Sequence, residues 1–142
     1  MMKTPFILLL ATSGILLACS KDDSTNEPED TTGIVGTWQL IEQLADPGDG
    51  SGVFHPTKND LRLTFRTNGS YTSTNSLCSV FGDPQNAGTG TYNTEKLSLH
   101  PAGCEDNEWL SENGLPYKLE NGNLIVYYFC IEGCAQKFEK VK

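Results

Sequence analysis

Apolar and polar residues alternate through most of the chain after Gly33. Leu61, Leu63 and Phe65 are interleaved with Arg62, Thr64 and Arg66, and Trp38 and Leu40 with Thr37 and Gln39. Successive strand residues point to opposite faces, so a period of two marks a strand with one buried side. The pattern predicts strands over 36–44, 61–67, 70–75, 88–93, 96–100, 116–120, 123–129 and 134–141. No internal repeat or low-complexity run is visible.

The turns agree with these strands. Asn68-Gly69 and Asn121-Gly122 are two-residue hairpin signals, because Asn and Gly tolerate the positive φ of a type I′ turn. Thr94-Glu95 is a weaker signal of the same kind. The second Asn-Gly turn sets Leu119 opposite Leu124 and Tyr117 opposite Val126. The inward side chains are then expected to be Trp38, Leu40, Leu61, Leu63, Phe65, Tyr92, Leu97, Leu99, Tyr117, Leu119, Leu124, Val126, Tyr128 and Phe138. Antiparallel strands in sequence order close into an up-and-down barrel, which removes exposed edges. The expected fold is all-β, an eight-stranded antiparallel up-and-down barrel.

Composition narrows the setting. A length of 142 residues fits one modest domain, and 14 Gly with 7 Pro suit many turns and few long helices. The formal charge of −8 argues against nucleic acid and against adsorption to an anionic membrane surface. Five Cys in so short a chain suggest an oxidising compartment.

The start of the chain reads as an address. Lys3 precedes an apolar stretch from Phe6 to Leu17, too short to span a bilayer and suited to a secretory leader. It ends in Leu16-Leu17-Ala18-Cys19, which resembles a bacterial lipobox. That resemblance implies a signal peptide over 1–18 and a lipidated Cys19 anchoring the protein to a membrane. Ser20-Lys21-Asp22-Asp23 resembles the signal by which some Gram-negative lipoproteins reach the outer face of the outer membrane. Residues 19–32 then form an acidic tether. Ser20 to Thr32 holds no aliphatic or aromatic residue and is expected to stay disordered. The barrel domain is expected over 33–142.

A second resemblance lies in the barrel itself. Gly36-Thr37-Trp38 opening the first strand is similar to the Gly-x-Trp motif of lipocalins. In that family the Trp closes one end of the barrel and a basic side chain from the last strand packs over it. The resemblance implies that part for Lys137 or Lys140. The small lipocalin-like domains of bacterial lipoproteins are the nearer likeness, since the strands here are short.

Alternation also sorts the connections. With the start of the first strand called the bottom, the tight turns all fall there. Three long loops, 45–60, 76–87 and 101–115, fall at the top with the short turn 131–133. Long loops on a rigid scaffold are where function concentrates. Cys78, Cys104, Cys130 and Cys134 all lie at the top. Two disulfides are expected, and the three pairings remain open. Pairings that join distant loops constrain more chain than a local Cys130–Cys134 bridge with Cys78–Cys104, and are favoured on that ground. A four-thiolate zinc site is the weaker rival, since Cys78 and Cys104 form no closely spaced ligand pair.

The same loops carry Asp46, Asp49, Asp60, Asp83, Glu105, Asp106, Glu108, Glu112 and Glu132 against Lys58 alone. Apolar residues sit among them, including Phe54, Phe81 and Trp109. An acidic rim around aromatic groups suits a cationic or neutral apolar ligand. The alternative is that the aromatics plug the barrel and the acids keep the surface soluble. Phe54, Phe81 and Trp109 are the candidate contacts, with Trp109 as the anchor.

Other chemistry has little support. Asp46-Pro47-Gly48-Asp49-Gly50-Ser51-Gly52 offers oxygens on a tight loop, as calcium needs. Gly falls at the second ligand position of an EF-hand, however, and no Glu closes the loop at the twelfth. His55 and His100 each precede a Pro in or beside a loop, and no triad or phosphate loop can be assembled. No enzyme activity, cofactor or metal is expected. The expectation is a lipid-anchored, surface-exposed outer-membrane protein that binds a small apolar or cationic ligand at the top of its barrel. The alternative is a protein–protein interaction module with a packed barrel and no ligand cavity.

Overall fold

In the computed structural model the described residues are 33–80 and 86–141. The strands are β1 (Gly36–Ala45), β2 (Phe54–Pro56), β3 (Arg62–Phe65), β4 (Ser70–Ser73), β5 (Gly88–Asn93), β6 (Ser98–Pro101), β7 (Leu115–Glu120), β8 (Asn123–Tyr128) and β9 (Cys134–Val141), with one short helix, α1 (Glu108–Asn113), before β7. All pairings are antiparallel. Strands β3 to β9 follow β1 in sheet order and β9 returns to pair with β1, so eight strands close a barrel. The short β2 lies on the upper part of β1, whose lower part pairs with β3.

The hairpin over Asn121-Gly122 has the expected register, Leu119 opposite Leu124 and Tyr117 opposite Val126. Asn121 and Gly122 have φ of 53° and 77°, the left-handed values the turn requires. The axis of the barrel is filled. Trp38, Leu40, Leu61, Leu63, Phe65, Leu99, Tyr117, Leu124, Val126 and Phe138 are buried together, joined by Tyr71, Leu77, Leu110 and Leu115. Tyr71 crosses the face of Gly90, where any side chain would collide with its ring. Its hydroxyl is buried and has no hydrogen-bond partner among the described residues. Desolvation pushes that phenol well above its ordinary value.

Two expected core residues point elsewhere. Leu97 is 47 % exposed and Leu119 39 % exposed. β6 begins only at Ser98, so Leu97 belongs to the turn, with φ 52°. A left-handed leucine costs about 1–2 kcal/mol of backbone strain. Leu119 lies beyond Tyr117 near the lower end of β7, where the barrel wall ends. Ile125 is buried on the outer wall, between Lys118 and Lys137 on the neighbouring strands.

A β-bulge between Leu40 and Glu42 changes which side of β1 faces inward. Below the bulge Leu40 faces the core opposite Phe138. Above it Gln43 stands opposite the buried Gln136, and both amides donate to the Val80 carbonyl, at 3.4 and 2.8 Å. Tyr128 donates its hydroxyl to Gln136 Oε1 at 2.7 Å. The upper interior is therefore polar, while the lower interior around Trp38 and Phe65 is apolar.

Candidate functional site

Each end of the barrel is built differently, and the lower one is closed. Trp38 is 1 % exposed, and its indole nitrogen donates to the Ile34 carbonyl at 2.7 Å. Lys140, its cross-strand partner, holds Nζ 5.6 Å from the ring centroid. Gly36 leaves room for that lysine: a Cβ there would lie 2.8 Å from Lys140 Cε. Of the two bases expected over Trp38, Lys140 takes the position. Lys137 is on the outer wall, paired with Glu42.

At the upper end both disulfides are present, Cys78–Cys104 and Cys130–Cys134, with Cα separations of 5.4 and 6.0 Å. The expectation of pairings between distant loops is corrected in favour of the local arrangement. Cys130 follows β8 and Cys134 opens β9, so the hairpin itself brings them together across three residues. The pairing leaves no thiolate from these cysteines for zinc.

Between the two bridges lies a cleft of about 200 Å³, to which each contributes one half-cystine, Cys78 and Cys130. Leu115 and Tyr128 line it from the barrel, Leu110 from α1, Val80 and Asn107 from the loops, and Trp109 and Phe129 from its rim. The helix explains the position of Trp109. Asn107 caps α1 by accepting from Leu110 N at 3.0 Å, and Gly114 ends it with φ 71°, its amide donating to the Leu110 carbonyl at 2.9 Å. Leu110 is thereby buried over the barrel mouth, and the preceding Trp109 faces outward, 37 % exposed. Its ring stacks on Phe129 at 4.7 Å between centroids. Phe129 is 73 % exposed, and Ile131 at the hairpin tip is wholly exposed.

The expected aromatic trio is not gathered in this cleft. Phe54 lies on β2 opposite Leu44, with Lys137 Nζ 4.3 Å from its ring centroid, on the outer wall. The bulge in β1 sends this face outward. Phe81 and Cys19 lie outside the described residues. Phe129, which alternation places outward at the end of its strand, replaces Phe54 as the partner of Trp109. Helix α1 is short enough to escape a period count, although Asn107 and Gly114 are its capping signals.

Carboxylates stand on and beside α1 and on the hairpin tip. Asp106 and Glu108 flank Asn107, Glu112 is on α1, Glu105 precedes it, and Glu132 is on the hairpin tip. All five are exposed, and none has an ion-pair partner among the described residues. Asp46 differs from them. Its Oδ1 accepts from Gly48 N at 2.7 Å and Gly50 N at 3.1 Å, and its Oδ2 from Gly52 N at 2.9 Å. The Gly48 amide above all, then that of Gly52, holds its carboxyl below the ordinary value. Those oxygens staple the loop as a turn. His100 shares a 3.0 Å hydrogen bond with Ser98, and His55 is exposed on β2.

The fold and the cleft define a class: a small closed antiparallel β-barrel, packed along its axis, with one end pinned by two disulfides around exposed aromatics. No protein-family model, curated protein or solved structure gives a significant match to this chain.

Proposed function

We propose that this is a lipid-anchored recognition domain, held through Cys19 at the outer face of the outer membrane, that grips a partner protein with the disulfide-pinned end of its barrel. The observation carrying this reading is the pairing of a filled axis with exposed apolar groups at one end. Ligand pockets for small molecules commonly enclose about 300–1,000 Å³. The cleft beneath Trp109 and Phe129 holds about 200 Å³, the scale of one or two side chains. Trp109, Phe129 and Ile131 stand around it on chain fixed by two bridges, which reduces the ordering cost of binding. Aromatic groups with such exposure are what the centre of a protein interface uses. At the Trp109 cleft, the exposed aromatics and the small volume favour the interaction module over a small-molecule carrier.

The lipocalin-like reading of the barrel rests on the lower end, where Gly36, Trp38 and Lys140 assemble as that family's motif implies. The lipoprotein reading rests on Leu16-Leu17-Ala18-Cys19 and on the residues that follow it.

A photo-crosslinking residue in place of the fully exposed Ile131, in the full-length protein in its own host, tests the proposal. A discrete adduct with one protein is expected, lost when Trp109→Ala and Phe129→Ala are combined with it. An apolar small molecule found by native mass spectrometry in stoichiometric complex with the unmodified protein would overturn the interaction module.

A further inference from the structure

The lower end carries a second apolar feature. Leu97, Leu119, Tyr117 and Ile34 line a groove of about 340 Å³ together with Lys118 and Gly33. Gly33, which the sequence joins to Cys19 through residues 20–32, lines this groove. The groove exposes two leucines, one of them held in a backbone conformation that Asn or Gly would adopt more cheaply. Three backbone and side-chain bonds keep that turn in place: Asn93 Oδ1 accepts from Glu95 N at 2.9 Å and Lys96 N at 2.8 Å, and the Leu97 carbonyl accepts from Tyr117 N at 2.8 Å. Strain that presents an apolar side chain to solvent, where a polar residue would fit better, points to a use for that side chain.

The geometry points to the bilayer surface: we propose that Leu97 and Leu119 rest in the headgroup region of the membrane that holds the acyl chains of Cys19. This rests on the lipid-anchor reading. Thirteen residues lie between Cys19 and Gly33, which bounds the distance from anchor to groove at about 50 Å even when fully extended. The segment itself has no aliphatic or aromatic side chain after Cys19 with which to fill the groove. A surface tethered this closely stands at high effective concentration, so weak contacts suffice.

Charge selects the same end. The net charge of −8 opposes adsorption of the whole molecule to an anionic surface. Five of the eighteen acids lie between Cys19 and Gly33; of those among the described residues, eight lie in or beside the upper loops and four elsewhere. Lys118 lines the groove, and the strand ends and turns of the lower end also carry Arg66, Lys96 and Lys140 with Glu95, Glu120 and Glu139. Lys118 pairs with Glu120, whereas Arg66 and Lys96 have no ion-pair partner among the described residues. Lower end down, the domain turns its acidic cleft away from the lipid and toward solvent.

The test uses full-chain lipidated protein in phosphatidylethanolamine–phosphatidylglycerol vesicles whose acyl chains carry bromine as a quencher. Trp38 is common to all variants, so its contribution, read from Trp109→Phe alone, is subtracted; Leu119→Trp combined with Trp109→Phe then reports an indole at the groove, and the unsubstituted protein one at the cleft. Quenching at the groove should exceed that at the cleft by about twofold or more, as expected for side chains at the headgroup boundary. Leu97→Asn, which suits the backbone there, should reduce the groove signal without lowering the melting temperature. Trypsin cleavage after Lys96, compared with Lys58 at the far end, needs no substitution. It should slow on vesicles relative to detergent micelles. Equal quenching and equal cleavage with an acylated Cys19 would overturn the docking alone. A Cys19 without acyl mass would remove the anchor and the docking together. A dimer that buries the introduced indole away from the quencher would assign the groove to a second copy and overturn the proposal.

Discussion

The two tryptophans show how differently the ends of this barrel are used. Trp38 is enclosed at the lower end, its nitrogen satisfied by Ile34, its face covered by Lys140. Trp109 sits on a helix of six residues at the upper end and stacks on a neighbour more exposed than itself. The same side chain is a structural plug in one place and a presented surface in the other. The difference lies in what the chain supplies around each. Below, a strand pairing and a glycine bring a lysine onto the ring. Above, Leu110 takes the plugging position and leaves Trp109 outside.

Truncation should separate them most widely. Trp38→Ala should cost about 3–5 kcal/mol in chemical denaturation, the range for a large core side chain. Trp109→Ala should cost about 1 kcal/mol or less, since little of its surface is enclosed by the core. Comparable losses would make Trp109 a lid and would break the comparison.

The disulfides give a smaller contrast, within the upper end. Cys78 and Cys104 are separated by 26 residues, Cys130 and Cys134 by 4. On the chain-entropy account, replacing the first pair with Ala costs about 3–4 kcal/mol and the second about 2 kcal/mol. Thermal melts of the two double variants measure this. A larger loss from the Cys130–Cys134 pair would mean that the hairpin tip supports the barrel, not merely the presentation of Phe129.

Much of the scaffold was legible because its strands have one buried side. The Asn121-Gly122 turn fixed a register that the pairing reproduces, whereas Asn68-Gly69 belongs to a three-residue loop, with Phe65 opposite Tyr71, Arg66 bonded to Ser70 and only Gly69 left-handed; barrel closure followed from strand order. The errors in the core have local causes at element ends and at an irregularity in β1. Leu97 falls in the turn and Leu119 lies past the covered length of β7, so neither is buried. The bulge after Leu40 shifted the upper part of β1 by one residue, and with it Phe54 went to the outer wall. Loop entropy argued for long-range cysteine pairing, but a three-residue turn had already placed Cys130 beside Cys134. At the site, Trp109 and the acidic rim were visible in the sequence. Phe129 was missed as its stacking partner, since contact between two loops leaves no period to read.

The smallest expected effect contrasts one hydrogen-bonding device in two chemical forms. At the lower end amides hold the turns: Asn68 Oδ1 accepts from Ser70 N at 3.1 Å, and Asn93 Oδ1 from two amides. At the upper end a carboxylate does so, Asp46 accepting from Gly48, Gly50 and Gly52. An amide oxygen does not titrate, whereas Asp46 does, with its pKa lowered by the bonds it accepts. A lowered pKa in the folded state means that its support is complete above the ordinary carboxylate value. That support is lost as pH falls through the lowered one. Because the loop is exposed, the loss should loosen 46–52 without moving the melting temperature of the barrel measurably. In an acid titration by amide NMR, Gly48, Gly50 and Gly52 should shift together with one midpoint below 3.8. The amides of Ser70, Glu95 and Lys96 should show no transition at that midpoint. If the lower turns move with the upper loop, the two ends respond to acid as one body and the upper loop is not an independent unit.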